Sequence, residues 1–156
     1  MHDLQDDNAG VIAPPPLIYA GPLLLGHLLR PTLPGIPLPR GARRLLGALL
    51  VAGGAGVAAW GFRTMSRAGT PVDPSEPVRA LVSEGPFQFS RNPLYLSLTL
   101  TYGGISLLTN TLSALVLLPG VLTVMQRGVI GREEEYLERR FDTSYRQYKG
   151  RVRRWF

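Results

Sequence analysis

Gly85-Pro86-Phe87-Gln88-Phe89-Ser90-Arg91-Asn92-Pro93-Leu94-Tyr95 joins a polar loop to a run without formal charge that extends from Asn92 to Gln126. Two turn dipeptides, Gly85-Pro86 and Asn92-Pro93, punctuate it. Pro93 suits the first turn of a helix, where its missing N–H costs nothing. Asn92 before it is a good N-cap, its amide oxygen accepting from the free N–H groups. The stretch is therefore expected to be irregular and to feed the N-terminus of a membrane helix. Free N–H groups at such an end favour an anionic ligand group, and Arg91 beside them suits a carboxylate. The plain alternative is an interfacial loop, with its aromatics at headgroup level and Arg91 facing lipid phosphate.

Downstream, the 35 uncharged residues from Asn92 to Gln126 are enough to cross the hydrocarbon twice as two short helices. The turn is expected at Leu108-Thr109-Asn110-Thr111, with Asn110 at its tip and Thr111 or Ser113 starting the next helix. Tyr102-Gly103-Gly104 offers the first helix a small patch for close packing, and Pro119-Gly120 is expected to kink the second.

Upstream, Arg63 to Arg91 reads as a long polar loop rich in turn residues, of the kind that often forms part of a site. Before it, Leu45 to Phe62 is an uncharged run of 18 residues and the clearest single span. Its Gly47, Gly53, Gly54 and Gly56, with Ala52, Ala55, Ala58 and Ala59, make a surface that a neighbouring helix can approach closely. Arg30 to Arg44, with four prolines, reads as an extended connector with no room for a helix. Leu17 to Leu29 is a further apolar segment, short for a span, following Pro14-Pro15-Pro16. His27 within it reads as an interfacial side chain near Arg30. Residues 1–9 carry three aspartates and no Lys or Arg, which excludes a secretory signal and suggests a disordered leader.

Length fits one domain, and the absence of cysteine excludes disulfides and thiol chemistry. The net charge is +6, from 17 Lys+Arg against 11 Asp+Glu. These basic residues flank apolar runs rather than form one basic face, a pattern of membrane proteins rather than of nucleic-acid binders. The polar loop and the C-terminal tail together hold 13 of the 17. The loop, the tail and the N-terminus are therefore expected to be cytoplasmic. In the tail, Ile130, Leu137, Phe141, Tyr145, Tyr148, Val152 and Trp155 follow one helical face, so it reads as an amphipathic helix at the headgroups or docked on the membrane helices. The chain as a whole reads as an all-α membrane protein. It has about four transmembrane helices, the last two a short helical hairpin, plus a C-terminal amphipathic cytosolic helix, all in one domain from residue 10 to residue 156.

Glu133 and Glu134 both flank the apolar stripe, because Leu137 lies four and three residues after them. Carboxylates beside a buried face need a cation or several donors. Arg127, Arg132, or a ligand ammonium or sulfonium are candidates; alternatively the pair are helix N-terminal acids favoured by the dipole. Glu135 and Glu138 point away and read as solvated, with Glu135 paired to Arg139.

Ser83-Glu84-Gly85-Pro86-Phe87 through Arg91-Asn92-Pro93-Leu94-Tyr95, together with Arg132-Glu133-Glu134, Phe141, Tyr145, Tyr148 and Arg151-Val152, resembles the paired motifs of the isoprenylcysteine carboxyl methyltransferase family and the related phospholipid N-methyltransferases. The resemblance covers residues 63–156. It implies an integral membrane methyltransferase that uses S-adenosylmethionine, bound on the cytosolic side by Arg91, Asn92, Pro93, Tyr95, Glu133 and Glu134; Tyr145 and Tyr148, with Phe87, suit the apolar and stacking walls for its adenine. It implies no metal and names no catalytic residue. The expected acceptor is lipophilic or presented by the membrane, with a carboxylate as its methyl-accepting group or, alternatively, a phospholipid amine. A non-enzymatic module that binds lipid or partner helices is the reading from another class. Three positions depart from the family pattern: Asn92 stands where His is usual, Asp142 where Gly is usual, and Arg153 where Pro is usual.

Overall fold

The computed structural model describes residues 9–74 and 76–156, and among them it is all-helical without a strand. The elements are α1 (Pro15–Leu28), α2 (Arg40–Arg67), α3 (Pro93–Leu108), α4 (Leu112–Met125) and α5 (Gly131–Arg151). A π-helical turn, Gln126–Ile130, carries α4 into α5. Short 3-10 turns lie at Arg30–Thr32 and Gly85–Gln88. The expected leader lies outside the described residues except for Ala9, which is buried.

The charge-free run folds as the expected hairpin. α3 ends at Leu108, Asn110 takes the turn at φ +57°, and Thr111 is the N-cap of α4. Asn110 Oδ1 accepts from Ile36 N at 2.9 Å, and Arg43 Nη1 donates to Leu107 O at 3.0 Å, so the connector closes over this turn. His27 Nδ1 lies 3.3 Å from Thr111 Oγ1, which gives it a partner on α4.

Three boundaries differ from expectation. α1 begins at Pro15 rather than Leu17, because prolines are tolerated in a first helical turn whose N–H groups have no intrahelical partner. α2 begins at Arg40, inside the segment read as having no room for a helix; Pro39 ends the proline series and serves as N-cap. α2 also runs on to Arg67, five residues into the expected polar loop, because nothing before Ala68-Gly69 breaks a helix.

The small-residue surface of α2 meets α3. Gly47, Gly54 and Gly61 are buried at seven-residue intervals. A Cβ at Gly54 would lie 2.6 Å from Thr101 Oγ1 and 2.8 Å from Ser97 O, and one at Gly104 would lie 2.8 Å from Gly47 O. The backbones can approach only because these side chains are absent. α1 packs on α4 in the same way, Gly26 against Ala114, and Ser113 Oγ donates to Gly26 O at 2.5 Å. Between them sits a core of Tyr19, Tyr102, Ala114, Val121, Met125 and Val129. The Tyr102 hydroxyl is satisfied by Ala114 O at 2.7 Å, as a buried hydroxyl must be.

Large apolar side chains face outward on α1 (Leu17, Leu24, Leu28), α2 (Leu45, Leu49) and α4 (Val116). So much exposed apolar surface is at odds with a water-facing exterior. Two helices are long and apolar enough to cross a membrane: Arg40–Arg67 and the continuous rod Leu112–Arg151, whose charge-free part ends at Gln126. α1 has 14 residues and α3 has 16.

Candidate functional site

At one end of the bundle the 3-10 turn Gly85–Gln88, the start of α3, α5 and the final residues converge. Gly85, at φ +57°, lets the turn reverse against α2, where a Cβ would lie 2.6 Å from Thr64 Oγ1. α5 supplies the opposite wall. Asp142 breaks it at φ +39° and ψ −111°, a conformation that suits glycine. Arg146 Nη2 holds the Asp142 carboxylate at 2.6 Å. After Arg151 the chain becomes extended at Val152 and returns beside the start of α3.

That return is held by backbone and amide hydrogen bonds. Arg91 N donates to Arg153 O at 3.0 Å and Asn92 Nδ2 donates to Arg154 O at 2.9 Å. Asn92 is the N-cap residue of α3 by position, but its side chain makes no capping bond. This corrects the expectation: the side-chain amide is turned to donate from Nδ2 to the Arg154 carbonyl, and its oxygen does not cap the helix.

The two glutamates have different surroundings. Glu134 is buried and takes two guanidinium groups. Arg154 is bidentate, Nε to Oε1 at 2.9 Å and Nη2 to Oε2 at 2.6 Å, while Arg91 Nη1 lies 3.0 Å from Oε1. Neither Arg127 nor Arg132 serves here; Arg132 donates instead to Gly10 O at 2.7 Å. Glu133 accepts from the Tyr95 hydroxyl at 2.5 Å and has no ion-pair partner among the described residues. Burial raises its carboxyl to about 7, against the lowering effect of the Tyr95 bond, and neighbouring Glu134 raises it further. Glu138, expected to be solvated, pairs across the Asp142 break with Lys149 at 3.1 Å and Arg146 at 3.3 Å.

These groups line one open-mouthed pocket with a cavity volume of about 130 Å³. All eight residues singled out from the sequence border it: Arg91, Asn92, Pro93, Tyr95, Glu133, Glu134, Tyr145 and Tyr148. Tyr145 and Tyr148 are buried, their rings 6.2 Å apart and tilted by 56°. Burial, then the charge of Glu134, pushes the Tyr145 hydroxyl up to about 12, so it stays protonated. Tyr148 donates to Phe87 O at 2.7 Å. Arg91 Nε is buried and makes no hydrogen bond, and its Nη1 meets Glu134 without hydrogen-bond alignment. A buried guanidinium with an unused donor is open to an acceptor from a ligand.

Sequence reasoning missed three features. Arg154 carried no local signal that separates it from the other basic residues of the tail. Tyr136 is buried and accepts from Val78 N at 3.3 Å, although it lies off the apolar stripe. The third is the covering wall, Met65, Thr70–Pro74, Val78 and Ala80–Val82, which comes from a segment read mainly as polar turns.

An all-helical bundle with two membrane-length helices and a polar pocket at one end defines the class as helical and membrane-compatible. The chain belongs to the phospholipid methyltransferase family, a family of integral membrane methyltransferases, which it matches over residues 42–144, about two thirds of its length. It is also 44% identical over 63 residues to an uncharacterized protein of Haemophilus influenzae, an alignment covering 40% of this chain and 98% of that protein. No solved structure matches it.

Proposed function

We propose that the chain is an S-adenosylmethionine-dependent membrane methyltransferase whose cofactor pocket is the one bordered by Arg91, Tyr95, Glu133 and Tyr145. The observation that carries this reading is the pairing, in one pocket, of a buried Arg91 with an unused Nε and a Glu133 that has no cation partner among the described residues. The cofactor offers a carboxylate to the first and an ammonium to the second, and Phe87, Tyr145 and Tyr148 provide walls for its adenine. When bound, it supplies an electrophilic methyl group on a sulfonium. The protein's part is to bind, orient and exclude water, because methyl transfer to an anionic acceptor needs little acid–base help. The loop and the tail lie on the cytoplasmic side in this reading, supported by their 13 of 17 basic residues, with α1 and α3 as short additional spans. The pair Trp60 and Phe89, both exposed and 6.2 Å apart, fits the headgroup level.

The acceptor is a lipophilic molecule presented by the bilayer. The family's name favours a phospholipid, whose amine must lose a proton before it can accept a methyl group. A carboxylate acceptor, which needs no such loss, is the second reading. Titration of the protein in nanodiscs with S-adenosylmethionine and S-adenosylhomocysteine tests the proposal. Wild type is expected to bind both and Glu133→Gln to bind them more weakly. Well-folded wild type that binds neither removes the methyltransferase reading.

A further inference from the structure

The adjacent glutamates divide their labour, and the division is imposed by a residue that returns from the far end of α5. Glu134 sits among two guanidinium groups, and Arg154 occupies both of its oxygens. Arg91, on the other side, keeps an unaligned contact to Oε1 and a contact with the Tyr145 hydroxyl, and its Nε is unused. A lone buried carboxylate beside Arg91 would draw its guanidinium into a full bidentate pair, which is the stronger geometry. By saturating Glu134, Arg154 leaves Arg91 facing the pocket.

We propose that Arg154 is a positioning residue for the cofactor's amino-acid end: it holds Glu134 so that Arg91 receives the ligand carboxylate and Glu133 alone receives its ammonium. This rests on the cofactor reading above. The carbonyls of Arg153 and Arg154 reinforce the arrangement, since they fix Arg91 N and Asn92 Nδ2. The C-terminal segment is thus held to the start of α3 through both backbone and side chain. Arg154 itself borders the pocket nowhere and acts only through Glu134 and Arg91.

The test compares two ligands on the full chain in nanodiscs. S-adenosylhomocysteine carries the carboxylate and ammonium; 5′-methylthioadenosine keeps the nucleoside thioether and lacks both. Arg154→Ala is expected to lose about tenfold in affinity for S-adenosylhomocysteine, the worth of one weakened charge-assisted hydrogen bond. Its affinity for 5′-methylthioadenosine should equal that of wild type, which also certifies the fold. Arg154→Lys, which keeps the charge and loses the fork, should fall between. Equal losses for both ligands would make Arg154 a merely structural tie, and unchanged affinity for S-adenosylhomocysteine would remove the positioning role; either result overturns the inference while leaving the cofactor reading intact. Wild type that binds neither ligand overturns the cofactor reading and this inference with it.

Discussion

The Tyr95 hydroxyl donates to Glu133 Oε1 at 2.5 Å, joining the first turn of α3 to the first turn of α5 across 38 positions of sequence. It is the one hydrogen bond that favours the charged form of a carboxyl otherwise raised by burial. The state of Glu133 therefore sets the charge that the pocket presents near neutral pH.

A pH dependence follows from the raised carboxyl. Below about 7 Glu133 is largely protonated and offers no charge to an ammonium. Affinity for S-adenosylhomocysteine should rise by up to about tenfold per pH unit below that point and flatten above it. Glu133→Gln should abolish the rise. Tyr95→Phe removes the bond that favours the carboxylate, so the midpoint should move to higher pH. The ligand-free protein should show the linked effect. Its folded state keeps the Glu133 proton between about 4.5 and about 7, where the unfolded chain has released it, so stability falls as pH rises across that window. Calorimetric titration and thermal unfolding at several pH values measure both.

The α2–α3 contact separates glycines that matter from those that do not. A Cβ at Gly54 meets the Ser97 carbonyl and the Thr101 hydroxyl, whereas Cβ atoms at Gly53 and Gly56 meet nothing within 4 Å. Gly54→Ala should destabilise by about 1–3 kcal/mol through overpacking. Gly53→Ala and Gly56→Ala should be neutral or stabilise by up to about 1 kcal/mol through helix propensity. Thermal unfolding in one detergent ranks the three variants.

The same contact marks where the sequence was legible. A 35-residue charge-free run with Asn110 near its middle has few ways to fold in a membrane, and it folds as the hairpin expected of it. The small residues of α2 announced a close neighbour because no other use of such a surface is common. The site was harder to read. Its two halves came together through motif resemblance rather than through any local pattern, and Arg154 was invisible because its partner depends on two backbone irregularities. The π-turn Gln126–Ile130 adds a residue and rotates the face of α5, which brings Tyr136 inward. The break at Asp142 then turns the chain so that the extended segment after Val152 reaches Arg91. Strict helical periodicity passes over both.

Gly85 ties the site to α2 and should not tolerate a side chain. Its positive φ and the closeness of Thr64 Oγ1 and Trp60 Nε1, which would lie 2.6 and 3.0 Å from a Cβ at this position, both oppose substitution. Gly85→Ala should shift the turn that carries Phe87, whose carbonyl anchors Tyr148. The expected result is a loss of roughly 1–2 kcal/mol of stability, together with weaker binding of 5′-methylthioadenosine through the displaced aromatic wall. Thermal unfolding and the binding assay read the two effects separately.

Asp142 offers the reverse case, a position where removing a side chain should help. At φ +39° and ψ −111° it occupies a region that costs a non-glycine residue about 1–3 kcal/mol. Its ion pair with Arg146 is exposed on both sides, and such pairs return only about 0–1 kcal/mol. Strain outweighs the pair, so Asp142→Gly should raise the stability of the protein by about 1 kcal/mol despite glycine's greater freedom in the unfolded chain. Asp142→Ala is the informative control, because it discards the ion pair and keeps the strain; it should be no more stable than wild type. Chemical denaturation in detergent, followed by the loss of helical circular dichroism, measures both. A stabilised Asp142→Ala would mean that the carboxylate, rather than the backbone, is the source of the cost.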